Sequence, residues 1–231
     1  MKPFLLLDCN LSPASGETFV QALERMSHPN QELISYRLSE YQKPDWLKRA
    51  LDGEFQGIVV SGSGASPKEE IAWIQQLTFD IRKATQSGIP TFGICFGHQL
   101  IAHAWGAEVG ENVLGYKVRG VQTVSIQDTL TQSPFVSGGK GDLEVLASHR
   151  DQVLSAPSEW QVVGSSGYCM IQALRAPKLP VVTVQWHPEG DQQFLEDNPH
   201  PDWKSLAGRD LIHLSGNRVL REFMLGNFGE V

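Results

Sequence analysis

The segment GICFG, residues 93–97, places Cys95 between two glycines where an apolar run changes into a helical pattern. Gly-x-nucleophile-x-Gly is the pattern of a strand-to-helix elbow, which exposes the middle side chain at the carboxyl edge of a sheet. Gly93 and Gly97 leave room for the tight turn and for close packing of the helix. The N–H groups at the start of that helix favour a thiolate, so the pattern predicts a nucleophilic sulfur. By itself the elbow also fits a serine-hydrolase-like protein or a redox thiol.

A cysteine nucleophile needs an imidazole to exchange a proton and a third group to orient that imidazole. His187 follows the apolar run LPVVTVQW and stands two positions before Glu189. Residues two apart in an extended chain point the same way, about 6.5 Å apart, so this carboxylate can reach the ring. Pro188 has no N–H for a sheet ladder and ends the strand. HPE alone also fits a surface turn, but together with the elbow it predicts a catalytic triad of Cys95, His187 and Glu189.

The remaining cysteines and histidines give weaker signals. Cys9 and Cys169 lie in strand-like runs that are typical of small buried side chains. His98 is predicted to pack within the elbow helix, whereas His149 fits either a pocket wall or a turn cap. The chain has no CxxC pair, and its seven histidines show no paired ligand spacing. We therefore predict neither a metal site nor a cofactor.

In the first half of the chain, strand-like runs alternate with helical patterns, which is typical of parallel strands joined by crossover helices. The best-marked helix is SPKEEIAWIQQLTFDIRKATQSG, with Ser66 as N-cap, Pro67 at the first helical position and Gly88 as the stop. The other predicted strands and helices are FLLLDCN, ELISYRL, FQGIVVSG and IPTFGI, and GETFVQALERM, DWLKRAL and GHQLIAHAW.

From Val109 onward the sequence changes to short strand-like runs separated by turn residues, which favours antiparallel pairing. Residues 216–228 predict a closing helix, and the polar residues 190–210 predict a long excursion or lid. No internal repeat or convincing linker divides the chain. We therefore expect a single domain over residues 1–231.

The amino-acid composition limits the classes of partner that this chain could bind. The 19 basic and 26 acidic residues give a net charge of −7, and no run of Lys or Arg could follow a phosphate backbone. The apolar run at residues 4–7 is shorter than the ~7 to 15 apolar residues of a signal peptide or the ~20 of a membrane helix. We expect a cytoplasmic protein that binds a small molecule, without nucleic acid or membrane partners.

Together, GICFGHQLIAHAWGAEV and VQWHPEG resemble the nucleophile and His-x-Glu motifs of the class I glutamine amidotransferases, in particular the glutaminase domain of guanosine monophosphate synthetase and its stand-alone relatives. The resemblance runs from the first strand to the HPE segment and resumes in GNRVLREFMLGNF. It implies an α/β fold: a three-layer flavodoxin-like sandwich with a mostly parallel central sheet and a small antiparallel β subsheet in the second half. The implied reaction is hydrolysis of the γ-carboxamide of glutamine, which releases glutamate and ammonia.

The resemblance also implies roles for individual residues. Cys95 would attack the carboxamide carbon to form a thioester, while His187, oriented by Glu189, would protonate the departing ammonia and then activate water. The backbone N–H groups of Ser63 and Phe96 would form the oxyanion hole. The residues expected to meet bound glutamine are Gly62, Gln99, Ser148, Arg150 and Asp151. For those of them that lie in loops, turn capping is the alternative role.

Two departures from the family pattern leave alternatives open. Gly64 stands where the oxyanion loop usually has a proline, and we expect no synthetase domain on this chain to consume ammonia. A separate synthetase partner is one candidate acceptor. A γ-glutamyl peptide hydrolase, with residues 190–210 as a wider pocket wall, is an alternative enzyme. The alternatives from other classes are a non-catalytic regulatory or interaction module and, more weakly, a thiol sensor, for which no resolving cysteine stands near Cys95 in sequence.

Overall fold

The middle layer of the protein is a nine-stranded sheet, in a computed structural model that describes residues 1–39, 45–127 and 141–228. Its strands are β1 (Phe4–Asp8), β2 (Leu33–Arg37), β3 (Gly57–Val60), β4 (Thr91–Ile94), β6 (Val118–Ile126), β7 (Asp142–His149), β9 (Gln161–Ser165), β10 (Ala173–Arg175) and β11 (Val181–Val184). Within the described ranges, β5 (Val109–Glu111) and β8 (Asp151–Val153) form a separate antiparallel pair.

The sheet has a parallel half and an antiparallel half, in the order β2-β1-β3-β4-β11-β10-β9-β6-β7. Strands β2, β1, β3, β4 and β11 pair in parallel, so their carboxyl ends meet at one edge of the sheet. Strands β10, β9, β6 and β7 continue the same sheet in antiparallel pairing. The flavodoxin-like architecture predicted from the resemblance is confirmed, and most of its antiparallel strands extend the central sheet.

Helices cover both faces of the sheet and create the outer layers. They are α1 (Pro13–Met26), α2 (Trp46–Leu51), α3 (Ala72–Gln86), α4 (Phe96–Ala104), α5 (Gln192–Asp197) and α6 (Arg218–Met224). The alternation of β1 shows how the faces divide. Leu5 and Leu7 pack with α2, α3 and α4, whereas Phe4 and Leu6 pack with α1 and α6. Each helix in the described ranges is too short or too polar to cross a bilayer.

Helix α3 begins later than its sequence predicts. Its first residue is Ala72, and its N-cap, Ile71, supplies no side-chain hydrogen bond. Ser66 instead closes a turn with Glu69: its N–H donates to Glu69 Oε1 at 2.6 Å, and its carbonyl accepts from the N–H of Glu69 at 3.0 Å. The hydroxyl of Ser66 donates to Asp151 Oδ2 at 2.7 Å. These local and tertiary bonds compete with helical capping, so the predicted N-cap at Ser66 is wrong.

Residues 190–210 form a packed segment that contains α5 and the 3₁₀ helix Pro201–Leu206. Asp191 caps α5, because its Oδ1 accepts a hydrogen bond from the N–H of Phe194 at 3.0 Å. Leu195, Trp203 and Leu206 are buried against Leu146 of β7. The polar stretch of the sequence therefore hides a small hydrophobic cluster, which fixes this segment beside the carboxyl edge of the parallel strands.

At the elbow between β4 and α4, neither glycine position has room for a Cβ atom. A Cβ on Gly93 would lie 2.8 Å from the backbone of Gly97, and one on Gly97 would lie 2.4 Å from the carbonyl oxygen of Val60. Backbone atoms cannot move aside as the end of a flexible side chain can. The two glycines let α4 pack directly on β3 and β4.

We expect Gly97→Ala to reduce the free energy of unfolding by about 1–3 kcal/mol, because its methyl group meets the β3 backbone. Gly167→Ala is the matched control, since a Cβ there meets nothing within 4 Å. Urea unfolding of both variants provides the measurement. Equal stability of the two variants would contradict this account of the elbow.

Candidate active site

Cys95 occupies a strained backbone conformation at the elbow, with φ of 50° and ψ of −100°. Non-glycine residues seldom adopt positive φ, and here two hydrogen bonds hold it. The N–H of Cys95 donates to the carbonyl of Val184 at 2.8 Å, and its carbonyl accepts from the N–H of Gln99 at 3.0 Å. The side chain is buried and lines a cavity at the carboxyl edge of the sheet. The structure thus forms the elbow that the glycine pattern predicts.

His187 and Glu189 lie together just beyond the end of β11. Nδ1 of His187 is 2.8 Å from Oε1 of Glu189, and both side chains are buried. Because a carboxylate oxygen accepts, the imidazole donates through Nδ1, which leaves Nε2 for another partner. The side chain of Cys95 lies near enough to His187 for its charge to raise the pKa of the imidazole. The three residues predicted as a triad are therefore brought together.

Neighbouring charges decide the protonation of His187. Burial lowers its pKa, but the charges of Glu189 and Cys95, with the hydrogen bond to Glu189, outweigh burial and raise the pKa to about 10. At His98 and His149 burial prevails and lowers the pKa, to about 3 and about 4 respectively. Among these buried histidines, the environment of His187 is the one that favours an imidazolium.

The predicted oxyanion donors belong to two elements next to the elbow. Phe96 begins α4, and Ser63 follows β3. Neither backbone N–H has an acceptor in the described part of the chain. A Cβ on Gly62 would come within 3.0 Å of Cε1 of His187 and 3.7 Å of Cβ of Cys95, so the loop packs against the reactive pair. At Gly64 a Cβ would make an ordinary 3.5 Å contact with Leu11, so packing does not require this glycine.

A cavity of about 320 Å³ opens at Cys95, and we call it the sulfur-side cavity. Its lining includes four of the residues predicted to meet substrate: Gln99, Ser148, Arg150 and Asp151. The amide of Gln99 donates to the carbonyl of Asp151 at 2.8 Å, while the exposed guanidinium of Arg150 pairs with Glu111 at 2.5 Å. The structure therefore gathers these residues on one wall, and Gly62 lies apart, beside His187.

A second cavity, of about 100 Å³, lies beside His187, and we call it the imidazole-side cavity. It is lined by His187 and Glu189, together with residues of α1 and of the 190–210 segment. Phe194 closes part of it, with its ring centroid 4.7 Å from that of His187. The residues that line both cavities are Ser63, Gly64, Lys117 and Ser148.

Gln185 is a functional candidate that the sequence analysis missed. Its side chain is fully buried, its Nε2 donates to Sγ of Cys95 at 3.6 Å, and its Oε1 accepts from Gln99 at 3.2 Å. The signal was present in the sequence, because Gln185, His187 and Glu189 follow one another at the two-residue period of an extended chain. Lys117 and Phe194, which line the cavities, were also missed.

Comparison with known proteins gives a consistent family assignment. The family model described as "Glutamine amidotransferase class-I" matches residues 15–199. The glutamine-hydrolyzing GMP synthase subunit of Methanococcoides burtonii is 36% identical over 151 residues, which are 63% of this chain and 73% of that protein. Gamma-glutamyl peptidase 4 of Arabidopsis thaliana is 29% identical over 159 residues, 64% of this chain and 63% of that protein.

Solved structures share the whole fold. A glutamine amidotransferase from Thermotoga maritima superposes with a TM-score of 0.76 at 20% identity, covering 97% of this chain and 98% of that one. A glutamine amidotransferase from Methylobacillus flagellatus gives a TM-score of 0.70 at 18% identity, covering 99% and 93%. At these identities the likeness concerns the fold.

We expect Glu189→Gln to lower the pKa of His187, since the carboxylate charge helps to raise it. NMR titration of labelled histidines measures this directly, with His98 and His149 as internal controls that stay neutral near pH 7. Because the native pKa exceeds the ordinary 6.5, His187 contributes stability that is complete below pH 6.5 and lost as pH rises to about 10. The variant should lose less stability over that interval, and an unchanged His187 titration would contradict the assignment.

We expect Gln185→Met to slow carboxamidomethylation of Cys95 by iodoacetamide at pH 7 by about fivefold, the equivalent of one hydrogen bond of roughly 1 kcal/mol to the sulfur. Gln152→Met is the matched control, because Gln152 is also buried but has no contact with the sulfur. Labelling followed by mass spectrometry assigns the rate to Cys95. Equal rates in the two variants would remove Gln185 from the site.

Proposed function

Since this chain belongs to the class I glutamine amidotransferase family, we propose that it hydrolyses γ-glutamyl amides through a thioester on Cys95, with glutamine as the first candidate substrate. The observation that carries the proposal is the buried arrangement of Cys95, His187 and Glu189 at the strand edge. An imidazolium beside a sulfur at a helix N-terminus has the charges that nucleophilic attack requires. The GMP synthase and gamma-glutamyl peptidase relatives are enzymes, which supports an enzymatic role over a non-catalytic module.

In the proposed reaction, Sγ of Cys95 attacks the γ-carbonyl carbon and forms the S–C bond. The C–N bond then breaks, and the departing nitrogen takes a proton from Nε2 of His187, so ammonia leaves from glutamine. Water next attacks the thioester and gives a proton to the imidazole, and the S–C bond breaks, which restores the imidazolium and the thiolate and releases the γ-carboxylic acid, which ionises to glutamate. Glu189 holds the ring through Nδ1 during both proton transfers.

The negative oxygen that forms during attack needs donors that are not already engaged. The backbone N–H groups of Ser63 and Phe96 meet this requirement within the described residues. We assign them to the oxyanion hole, where loss of one donor commonly costs about 3 to 4 kcal/mol in the barrier. Gln99, Ser148, Arg150 and Asp151 are assigned to the glutamyl group, because they line the cavity that opens at the sulfur.

The fate of the leaving nitrogen gives two versions of the proposal. The archaeal relatives are named as glutamine-hydrolyzing subunits of GMP synthase, which supports a separate synthetase partner that accepts ammonia from this chain. The three free cysteines suit the reducing cytoplasm, where we place the reaction. Affinity purification of the tagged chain from its native cytoplasm would test this version, and a synthetase that co-purifies in stoichiometric amounts is the supporting result.

The second version is hydrolysis of γ-glutamyl peptides, and the imidazole-side cavity favours it. Ammonia is about the size of water, which needs about 10–15 Å³ of cavity. The cavity beside His187 measures about 100 Å³ and so has room for a larger leaving group. The plant relative is named as a gamma-glutamyl peptidase, which supports the same reading.

We expect Cys95→Ser to abolish release of glutamate from glutamine and from γ-glutamyl peptides, because a serine hydroxyl ionises far less readily than a thiol. Cys169→Ala is the matched control: burial raises the pKa of Cys169 to about 12, so this thiol is not a competing nucleophile. Glutamate release measured by chromatography decides between the substrates. Equal turnover by wild type and Cys95→Ser would eliminate the proposal, and no turnover of any γ-glutamyl substrate would favour the non-catalytic module.

A further inference from the structure

Lys117 occupies the boundary between the two cavities. It contributes to both linings, together with Ser63, Gly64 and Ser148. Its position follows from the sheet, because Val118, the next residue, begins β6 and pairs with His149 at the end of β7. The antiparallel β6–β7 pairing thus brings a lysine from a distant part of the sequence to the reactive pair.

The ammonium of Lys117 has no carboxylate partner among the described residues. Lys117 is exposed to solvent, and partial desolvation of its charge lowers the pKa. Arg119 lowers the pKa further, and the charge of Cys95 opposes both effects. A cation in this environment gains from an anionic neighbour that the protein itself does not supply.

The other charges of the imidazole-side cavity are already engaged. Glu189 contacts His187, and Asp197 accepts a hydrogen bond from Thr18 of α1. Among the described residues, the cationic side chains that line this cavity are His187 and Lys117. The uncharged polar residues of the lining are Asn10, Ser15, Thr18, Ser63, Ser148 and Asn198. Lys117 is therefore the cation of this lining that has no ion-pair partner among the described residues, although the carboxylate of Asp197 belongs to the same lining.

We propose that Lys117 binds the carboxylate of the leaving group, so that the site prefers γ-glutamyl amino acids and peptides to γ-glutamyl amides without that carboxylate. This inference rests on the proposed γ-glutamyl hydrolysis and specifies the leaving group. In a γ-glutamyl amino acid the scissile nitrogen is the α-amine, which stands one carbon from the carboxylate. When His187 protonates that nitrogen and the C–N bond breaks, the released amino acid lies in the cavity that Lys117 lines.

The alternative anion is the α-carboxylate of the glutamyl group itself, because Lys117 also lines the sulfur-side cavity. The two roles make different predictions. A lysine that binds the glutamyl group affects every γ-glutamyl substrate equally. A lysine that binds the leaving group affects those substrates whose leaving amine carries a carboxylate.

The experiment compares kcat/KM for γ-glutamylglycine and γ-glutamylmethylamide, which differ by that carboxylate. We expect wild type to prefer γ-glutamylglycine, and Lys117→Met to reduce the ratio by about tenfold or more, as loss of a charge-assisted hydrogen bond does. Lys117→Arg should keep the preference. Lys178→Met is the matched control, because Lys178 is highly exposed and pairs with Glu159, far from either cavity lining.

Loss of activity to the same extent on both substrates in Lys117→Met would overturn the inference, and so would a wild-type enzyme without the preference. If wild type turns over neither substrate nor glutamine, the proposed function fails, and binding decides the inference separately. Calorimetric titration of Cys95→Ala should then show that adding Lys117→Met weakens binding of γ-glutamylglycine at least about tenfold more than binding of γ-glutamylmethylamide. Equal effects on the two ligands would overturn it.

Discussion

The pairing of β11 with β4 is the constraint on which the site depends. Ile94 lies opposite Val184, and the N–H of Cys95 continues the ladder by donating to the carbonyl of Val184. Cys95 and the segment that carries His187 therefore leave the sheet side by side. Beyond β11, Gln185, His187 and Glu189 turn towards the sulfur, while Trp186 is buried in the core on the opposite face. If β11 shifted by one residue relative to β4, the side chains that now face the sulfur would face the core, and Trp186 would face the sulfur.

That register is fixed by contacts on both faces of β11. Val182 and Val184 are buried with Trp186 in the core beneath α1 and α6. On the other face, Oγ1 of Thr183 lies 2.7 Å from Nδ1 of the buried His98 in α4. The elbow helix thus holds the strand that carries the base. His98 is a packing residue as predicted, because burial keeps its imidazole neutral and suits it to a hydrogen bond within the core.

Much of this arrangement is readable in the sequence because it follows from local rules. The glycines around Cys95 predict the elbow, and the two-residue spacing of His187 and Glu189 predicts their contact. Lys117 could not be found in this way, since the tertiary pairing of β6 with β7 places it and no local pattern marks it. The predicted start of α3 was wrong because the hydroxyl of Ser66 makes a hydrogen bond to Asp151, a partner 85 residues away in sequence. Interactions of this range leave no periodic signal in the sequence.

The proposed reactive groups and the wall of the imidazole-side cavity come from different parts of the structure. The reactive groups sit at the ends of β3, β4 and β11, where the sheet fixes their geometry. The wall beyond His187 comes from α5, which Asp191 and Asp197 join to Arg25 and Thr18 of α1. Changes in that wall can alter the size and charge of the cavity without moving the sheet edge. Phe194 limits this freedom, because its ring packs on the imidazole of His187. The ring of Phe194 therefore links the shape of this wall to the position of the imidazole.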